Sequence, residues 1–467
     1  MKVFLAVIIC KALYFAGKLV GKGSSLPGKI VLRLFPDILE RLKLPETIVA
    51  VTGSNGKTST TELVVHALEA GGLSVGSNLE GSNQTEGIAT LLLRSAMLGG
   101  LVKRDAIVME CDERYARMIF KKVKPSVLLV TNLCRDQLTR NGHHEFISDC
   151  LHAAILAAGE GVRLVLNTDD PFVAALANSV ETDRGNVMWF GVRDARSASQ
   201  HAGTSQHTDT LQHTGTPQHV GTPQHTGMYD DTAFCPVCKE RMTYAYRIAG
   251  HYGSYSCAAC GLKRSEPQVE ATIGEGGSLV FGDGVKMNMK FPGVTSAYNF
   301  CAAAAAAKAS GVAVSVSVRA LDGYELTGGR TLRLSLTGRD GLLLVSKHEN
   351  SFAYDRSLSV IVEQQKSCTV LVLVNAISRK YYTSETSWLW DIDFDILADD
   401  NVQNIVLAGR YVNELAARFA ATAVDQAKIS YIDGLSGLRD HIEKNTTGTL
   451  YAVTCFSDKA KLLKEFA

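Results

Sequence analysis

No apolar stretch in this 467-residue sequence reaches the roughly 20 residues needed to span a bilayer, and neither sign of charge dominates it. Forty-eight Lys and Arg stand against 47 Asp and Glu, a net charge of +1. The broad positive field that non-specific nucleic-acid binding needs is therefore missing, and no nucleic-acid partner is expected. A disulfide scaffold is disfavoured too: the 11 cysteines are odd in number and scattered. Four of them form two CxxC pairs, which points to a reducing cytoplasm and a metal site. What remains is ordinary globular composition, 46% hydrophobic and 20% charged, long enough for two or three domains at roughly 150 residues each.

Val3 to Cys10 is an apolar run behind Lys2 that resembles the core of a signal peptide. Lys11, Lys18 and Lys22 break up the residues after it, however, and no small-residue cleavage site is clear. Through Lys43 the segment carries eight basic residues (Lys2, Lys11, Lys18, Lys22, Lys29, Arg33, Arg41, Lys43) against Asp37 and Glu40. That mix suits a helix lying on an anionic membrane surface; a helix packed on the protein's own core with solvated lysines is the alternative. The expected location is cytoplasmic, with peripheral contact at the inner face of the membrane.

Short β-branched and leucine-rich runs recur at Ile48 to Val51, Ala106 to Met109, Val127 to Val130 and Val162 to Leu166, separated by helix-like stretches such as Thr60 to Ala70 and Phe146 to Ala158. Alternating β and α elements predict an α/β fold with a mainly parallel sheet covered on both faces. Residues 195–227 collapse into a repeat with histidines at 201, 207, 213, 219 and 225. It is read as a low-complexity His-rich linker without the apolar residues to order it, weak metal binding being its alternative. A Cys-rich segment comes next, then an alanine-rich helix from Ala297 to Ala309 and a second α/β series with strands at Leu342 to Val345, Thr369 to Val374, Ile405 to Ala408 and Leu450 to Val453. The expected domains are an N-terminal basic and apolar segment (1–44), a first α/β domain (45–325) with the Cys-rich segment inserted at 232–265, and a smaller Rossmann-like α/β domain (326–467).

Between the first strand and its helix stands Val51-Thr52-Gly53-Ser54-Asn55-Gly56-Lys57-Thr58-Ser59-Thr60. Backbone N–H groups and the helix dipole favour a phosphate there. Gly53 and Gly56 permit the turn, Lys57 can reach the β- and γ-phosphates of ATP, and Thr58 offers a hydroxyl to Mg²⁺. The first glycine of the usual pattern falls at Val51, so the loop is a variant one. Magnesium needs a carboxylate as well. Glu110, at the end of its strand, is the candidate; Asp112 and Glu113 behind it read rather as a surface acidic cluster.

This loop is similar to that of the Mur ligases, which use ATP to activate a carboxylate and join it to an amine. Further segments resemble the MurT family, the synthetase subunits of lipid II isoglutaminyl synthase: Ser25 to Lys29, Asn78 to Asn83, Thr131 to Leu138, Pro292-Gly293 with Tyr298-Asn299, and Ser387 to Asp391. The resemblance covers nearly the whole chain and implies a defined reaction. With a GatD-type glutaminase as heterodimer partner supplying ammonia, ATP drives amidation of the D-glutamate α-carboxylate of lipid II in peptidoglycan biosynthesis. It also implies Gly53, Ser54, Asn55, Gly56, Lys57, Thr58 and Ser59 around the nucleotide, Asn299 near it and Arg330 closing on it, with Lys57, Thr58 and Glu110 carrying the first step. Helix capping is the alternative for Asn299 and a solvated surface position that for Arg330. Asn132, Arg135 and Asp136 resemble a substrate-side loop.

Two departures bear on ammonia delivery. Tyr382 and Glu385 occupy the two aspartate positions of the family's loop, so Glu385 would have to orient the partner's catalytic histidine with a side chain one methylene longer. In Ser346-Lys347-His348-Glu349-Asn350 the lysine is kept, but the family's turn-forming Pro and Gly are not. Cys235, Cys238, Cys257 and Cys260 have the spacing of a closed tetrahedral Zn²⁺ site, a structural ribbon. Within enzymes the alternative is a Mur or folylpolyglutamate-type ligase that adds an amino acid; outside them it is a non-catalytic zinc-ribbon binding protein.

Overall fold

Val49, Ala50 and Val51 are wholly buried along one strand, and the strands on either side are equally apolar, the pattern of a parallel sheet shielded on both faces. They belong to a computed structural model that describes residues 1–19, 24–136, 144–179, 186–194, 229–290, 293–327, 331–376 and 386–466. The chain divides into two units, one comprising Met1–Leu133, His144–Thr222 and Thr232–Thr327, the other Cys134–His143, Pro223–Asp231 and Gly328–Ala467. Arg330, Tyr382, Glu385 and the His-rich repeat lie outside the described residues.

In the first unit the strands are β1 (Thr47–Thr52), β2 (Val75–Ser77), β3 (Ala106–Glu110), β4 (Val127–Val130), β5 (Arg163–Asn167), β6 (Val187–Asp194), β7 (Thr243–Ile248), β8 (Tyr252–Ser256), β9 (Val269–Ile273), β10 (Ser278–Phe281) and β11 (Lys286–Asn288). Nine of them form one sheet in the order β11-β10-β9-β6-β5-β4-β1-β3-β2, while β7 and β8 pair as a separate antiparallel hairpin. From β2 to β9 the pairing is parallel; β10 and β11 add an antiparallel edge, so the sheet is mixed. The helices are α1 (Lys2–Leu19), α2 (Leu26–Leu34), α3 (Lys57–Ala70), α4 (Thr85–Ser95), α5 (Glu113–Ile119), α6 (His144–Ala158), α7 (Pro171–Ala175), α8 (Val294–Ala309) and α9 (Val314–Leu321). Every residue from Ala302 to Ala307 on α8 is buried. Methyl side chains let this helix lie close against α3 and the sheet. On the other side Ala6, Val7 and Cys10 of α1 join the same core as Ile107 and Leu128, so the N-terminal segment packs on the protein along one face.

The second unit holds β12 (Thr331–Leu336), β13 (Arg339–Ser346), β14 (Cys368–Leu373), β15 (Val402–Gly409), β16 (Ile429–Asp433) and β17 (Thr449–Cys455), in the order β12-β13-β17-β14-β15-β16. Only the β12–β13 edge is antiparallel. Helices α10 (Ser351–Glu363), α11 (Val412–Phe419), α12 (Leu438–Asn445) and α13 (Lys459–Glu465) accompany it, and apolar clusters cover both faces.

Candidate active site

Strand pairing assembles the site. Val51 of β1 stands opposite Glu110 of β3, and Thr52 stands opposite Val130 of β4. The C-terminal ends of three adjacent strands therefore converge, where open α/β sheets hold ligands.

The loop from Gly53 to Gly56 is braced from the end of β4. Ser54 N donates to Asn132 O at 2.9 Å and Asn55 N to Asn132 Oδ1 at 2.9 Å. In return Thr131 Oγ1 and Asn132 Nδ2 donate to Asn55 O at 2.8 and 3.1 Å. The structure thus places Asn132 against the loop, whereas Arg135 and Asp136 group with the second unit. Glycine is required at both turns. Gly53 and Gly56 have φ of 125° and 79°, and a Cβ on them would lie 2.3 Å from Thr131 Oγ1 and from Asn299 Oδ1 respectively. Asn299 accepts from Thr60 Oγ1 at 3.2 Å. It lies inside α8, whose N-cap is Gly293, so the capping alternative is corrected in favour of a residue packed on the loop.

Lys57 opens α3 and is buried with its amine among acceptors: Gly53 O at 2.5 Å, Ser54 O at 3.3 Å and Glu113 Oε1 at 2.7 Å. Asp112 and Glu113 are both buried, which overturns their reading as a surface cluster. Asp112 caps α5 by accepting from Arg114 N at 3.1 Å, and that cap starts the helix with Glu113 facing Lys57. Glu113 is thus a site residue that sequence reasoning missed; an acid directly after an N-cap aspartate was the available signal. Thr58 and Ser59 beside it are half-buried.

Glu110 is held along its backbone by Asn78, whose Oδ1 accepts from Glu110 N at 2.8 Å and whose Nδ2 donates to Glu110 O at 3.0 Å. Asn83 Nδ2 donates to Glu110 Oε1 at 2.9 Å, while the buried Oε2 has no hydrogen-bond partner. A buried, unpartnered carboxylate oxygen near a hydroxyl-bearing phosphate loop is an all-oxygen donor set, which fits a hard cation such as Mg²⁺.

The two CxxC knuckles also converge. The four sulfurs of Cys235, Cys238, Cys257 and Cys260 lie within 4.8 Å of one another, with Cys235 and Cys260 at 3.5 Å and Cys238 and Cys257 at 3.4 Å. Each knuckle is closed by backbone bonds, Lys239 N to Cys235 O at 2.9 Å and Gly261 N to Cys257 O at 3.0 Å. The Cys260 backbone N–H holds the Cys257 thiol down to about 7, while burial pushes Cys235 up to about 12. Four thiols so gathered fit Zn²⁺, which binds them as thiolates with no open position. Arg264 ties the ribbon to the sheet through Asp169 at 2.6 Å and Glu270 at 2.9 Å. Replacing Cys238 by serine removes one of the four thiol donors and is expected to weaken metal retention and to lower the thermal midpoint, as read by metal analysis and calorimetry.

In the second unit Asp136 receives Lys347 Nζ at 2.9 Å and Asn350 Nδ2 at 2.7 Å. Arg135 pairs with Asp231 at 2.7 Å and lies over Tyr229 at 4.0 Å from the ring centre. The lysine kept in the altered Ser346 to Asn350 turn is therefore engaged with the Asp136 segment.

A Mur ligase middle domain model matches residues 51–227, and a MurT ligase C-terminal model matches residues 348–458. Lipid II isoglutaminyl synthase (glutamine-hydrolyzing) subunit MurT of Staphylococcus aureus (strain COL) is 26% identical over 429 residues, 91% of this chain and 89% of the relative. The subunit of the same description from Streptococcus pneumoniae (strain ATCC BAA-255 / R6) is 26% identical over 98% of this chain and 95% of its own. Among solved structures, a pseudomurein peptide ligase type C from Methanothermus fervidus has a TM-score of 0.67 at 18% identity, covering 94% of this chain and 84% of that one. MurF ligase from Thermotoga maritima in complex with ADP has 0.59 at 15%, covering 94% and 83%. These two establish a shared fold. With a family model matched in each part of the chain and relatives of one description aligned over nearly their whole length, the chain belongs to the Mur ligase family and, within it, to the MurT type.

Proposed function

We propose that this chain is the synthetase of an ATP-dependent carbon–nitrogen ligase that converts the α-carboxylate of D-glutamate in the lipid II stem peptide into the amide of D-isoglutamine. A carboxylate oxygen attacks the γ-phosphorus of ATP and ADP leaves; ammonia then attacks the acyl carbon and phosphate departs with that oxygen. Phosphoryl transfer of this kind asks the protein mainly for position and charge. The braced loop from Gly53 to Gly56 would offer backbone N–H groups to phosphate, and the Lys57 amine would meet the charge developing on the transferred group. Thr58 and Glu110 would hold Mg²⁺, which when bound neutralises phosphate charge. Cys235, Cys238, Cys257 and Cys260 would hold a structural Zn²⁺ that supports folding. The six-stranded unit is read as the smaller Rossmann-like domain of such ligases.

The observation that carries this reading is the juxtaposition of a braced phosphate loop with a buried carboxylate oxygen that has no protein partner. A GatD-type glutaminase partner is inferred from the thiols. Cys111, Cys134, Cys150, Cys301, Cys368 and Cys455 are all buried. Burial pushes Cys368 up to about 11 and Cys455 up to about 12, the opposite of an activated nucleophile. Glu385 is kept as the residue that would orient the partner's histidine, and Arg330 as a nucleotide contact. The test supplies lipid II, MgATP and either ammonium or amino acids. ADP release with ammonium alone, and a product in which amide replaces acid, is the expected result; ADP release that requires an amino acid would replace this reading with an amino-acid ligase.

A further inference from the structure

Helix α1 is apolar on two opposite sides. Ala6, Val7 and Cys10 are wholly buried in the core of the first unit, while Phe4, Leu5, Ile8 and Phe15 are 45%, 43%, 41% and 70% exposed. A helix that is hydrophobic all round is either enclosed by protein or lies in lipid, and this one is enclosed along one face only. At 3.6 residues per turn the four exposed side chains fall on one stripe. Lys2 borders it on one edge, about 110° from the middle of the stripe, and Lys11 and Lys18 on the other, about 70° and 90° from it. The helix contains neither Asp nor Glu. The turn after α4 exposes apolar side chains as well, with Met97, Leu98 and Leu101 50%, 47% and 47% exposed. That turn packs against the first turn of α1: a Cβ on Gly100 would lie 2.7 Å from Val3 Cγ1. Lys43 and Lys103, both exposed, stand beside it in sequence and pairing. No described helix is long and apolar enough to cross a membrane.

We infer that α1 and the Met97–Leu101 turn dock on an anionic phospholipid bilayer, with the Phe4, Leu5, Ile8 and Phe15 stripe in the acyl boundary and the flanking lysines at the headgroups. The two lysine edges decide between occupants. An anionic bilayer gains from cations on both margins of the stripe, whereas a second copy of this helix, which carries lysines and no Asp or Glu, would bring like charges together. The docking rests on α1 and its neighbours alone; that it brings the chain to a lipid-linked substrate rests on the lipid II reading.

The test is flotation of the whole chain with vesicles of phosphatidylglycerol and phosphatidylcholine against phosphatidylcholine alone. Binding is expected to the anionic vesicles and to weaken as salt rises. Leu5→Ser/Ile8→Ser and Lys11→Glu/Lys18→Glu should each weaken it at least tenfold while keeping the thermal midpoint. Amidation of detergent-solubilised substrate should persist in both variants, which separates a failure of docking from a failure of the proposed chemistry. Wild-type protein that stays off anionic vesicles at low salt, or variants that bind as well as wild type, would overturn the inference. So would sedimentation showing a dimer that Leu5→Ser/Ile8→Ser dissociates, because the stripe would then be covered by a second copy.

Discussion

Replacing Lys57 by alanine is expected to lower ATP-dependent turnover by about 10²–10³-fold, the usual loss when one group that meets developing charge is removed. The same change should destabilise the fold. Lys57 and Glu113 are 7% and 6% exposed and 2.7 Å apart, and removing one partner of a buried ion pair costs about 3–5 kcal/mol. The two effects can be separated. In Lys57→Ala/Glu113→Gln a neutral amide replaces the carboxylate that faces Lys57, so stability measured by denaturant unfolding should recover in large part, while turnover stays low. Recovery of turnover in the double variant would mean that Lys57 serves only the fold.

Glu110→Gln is expected to lower turnover by about 10²-fold and to raise the Mg²⁺ concentration that gives half-maximal rate. The backbone of Glu110 is fixed in both directions by Asn78, and a glutamine Oε1 can still accept from Asn83, so the strand should keep its place. What changes is the buried Oε2, where an amide nitrogen would present a donor to a cation. A magnesium titration of ADP release on wild type and variant reads this directly. Superimposable curves would remove Glu110 from the metal site.

The phosphate loop is legible in the sequence because strand, glycines, lysine and helix are contiguous from Ile48 to Ala70, so local chemistry specifies them. The cysteine knuckles are legible for the same reason, each being closed within six residues. Partners distant in sequence are not. Asn83 and Asn132 reach their targets across 27 and 77 residues, and only strand order brings them in. Glu113 is misread from sequence because Glu110-Cys111-Asp112-Glu113 has the look of a solvated acidic run, and burial of such a run depends on β3 lying beside β1. The antiparallel edge escapes a reading of apolar runs, although Gly282-Asp283-Gly284 between β10 and β11 is a hairpin turn in composition. At the N-terminus the membrane-surface and core-packed readings stand as alternatives by composition. The helix packs on the core along one side and leaves its opposite side exposed, a split that composition cannot display because both faces are apolar.

Whether the loop around Lys57 makes an acid group reactive by phosphorylating it can be read from isotope transfer. Lipid II carrying ¹⁸O in the D-glutamate α-carboxylate, incubated with the whole chain, MgATP and ammonium, should release phosphate bearing one ¹⁸O for each amide formed, and Lys57→Ala should suppress label transfer and amide together. Unlabelled phosphate accompanying amide formation would contradict the account, because the carboxylate oxygen would then never have been bonded to phosphorus.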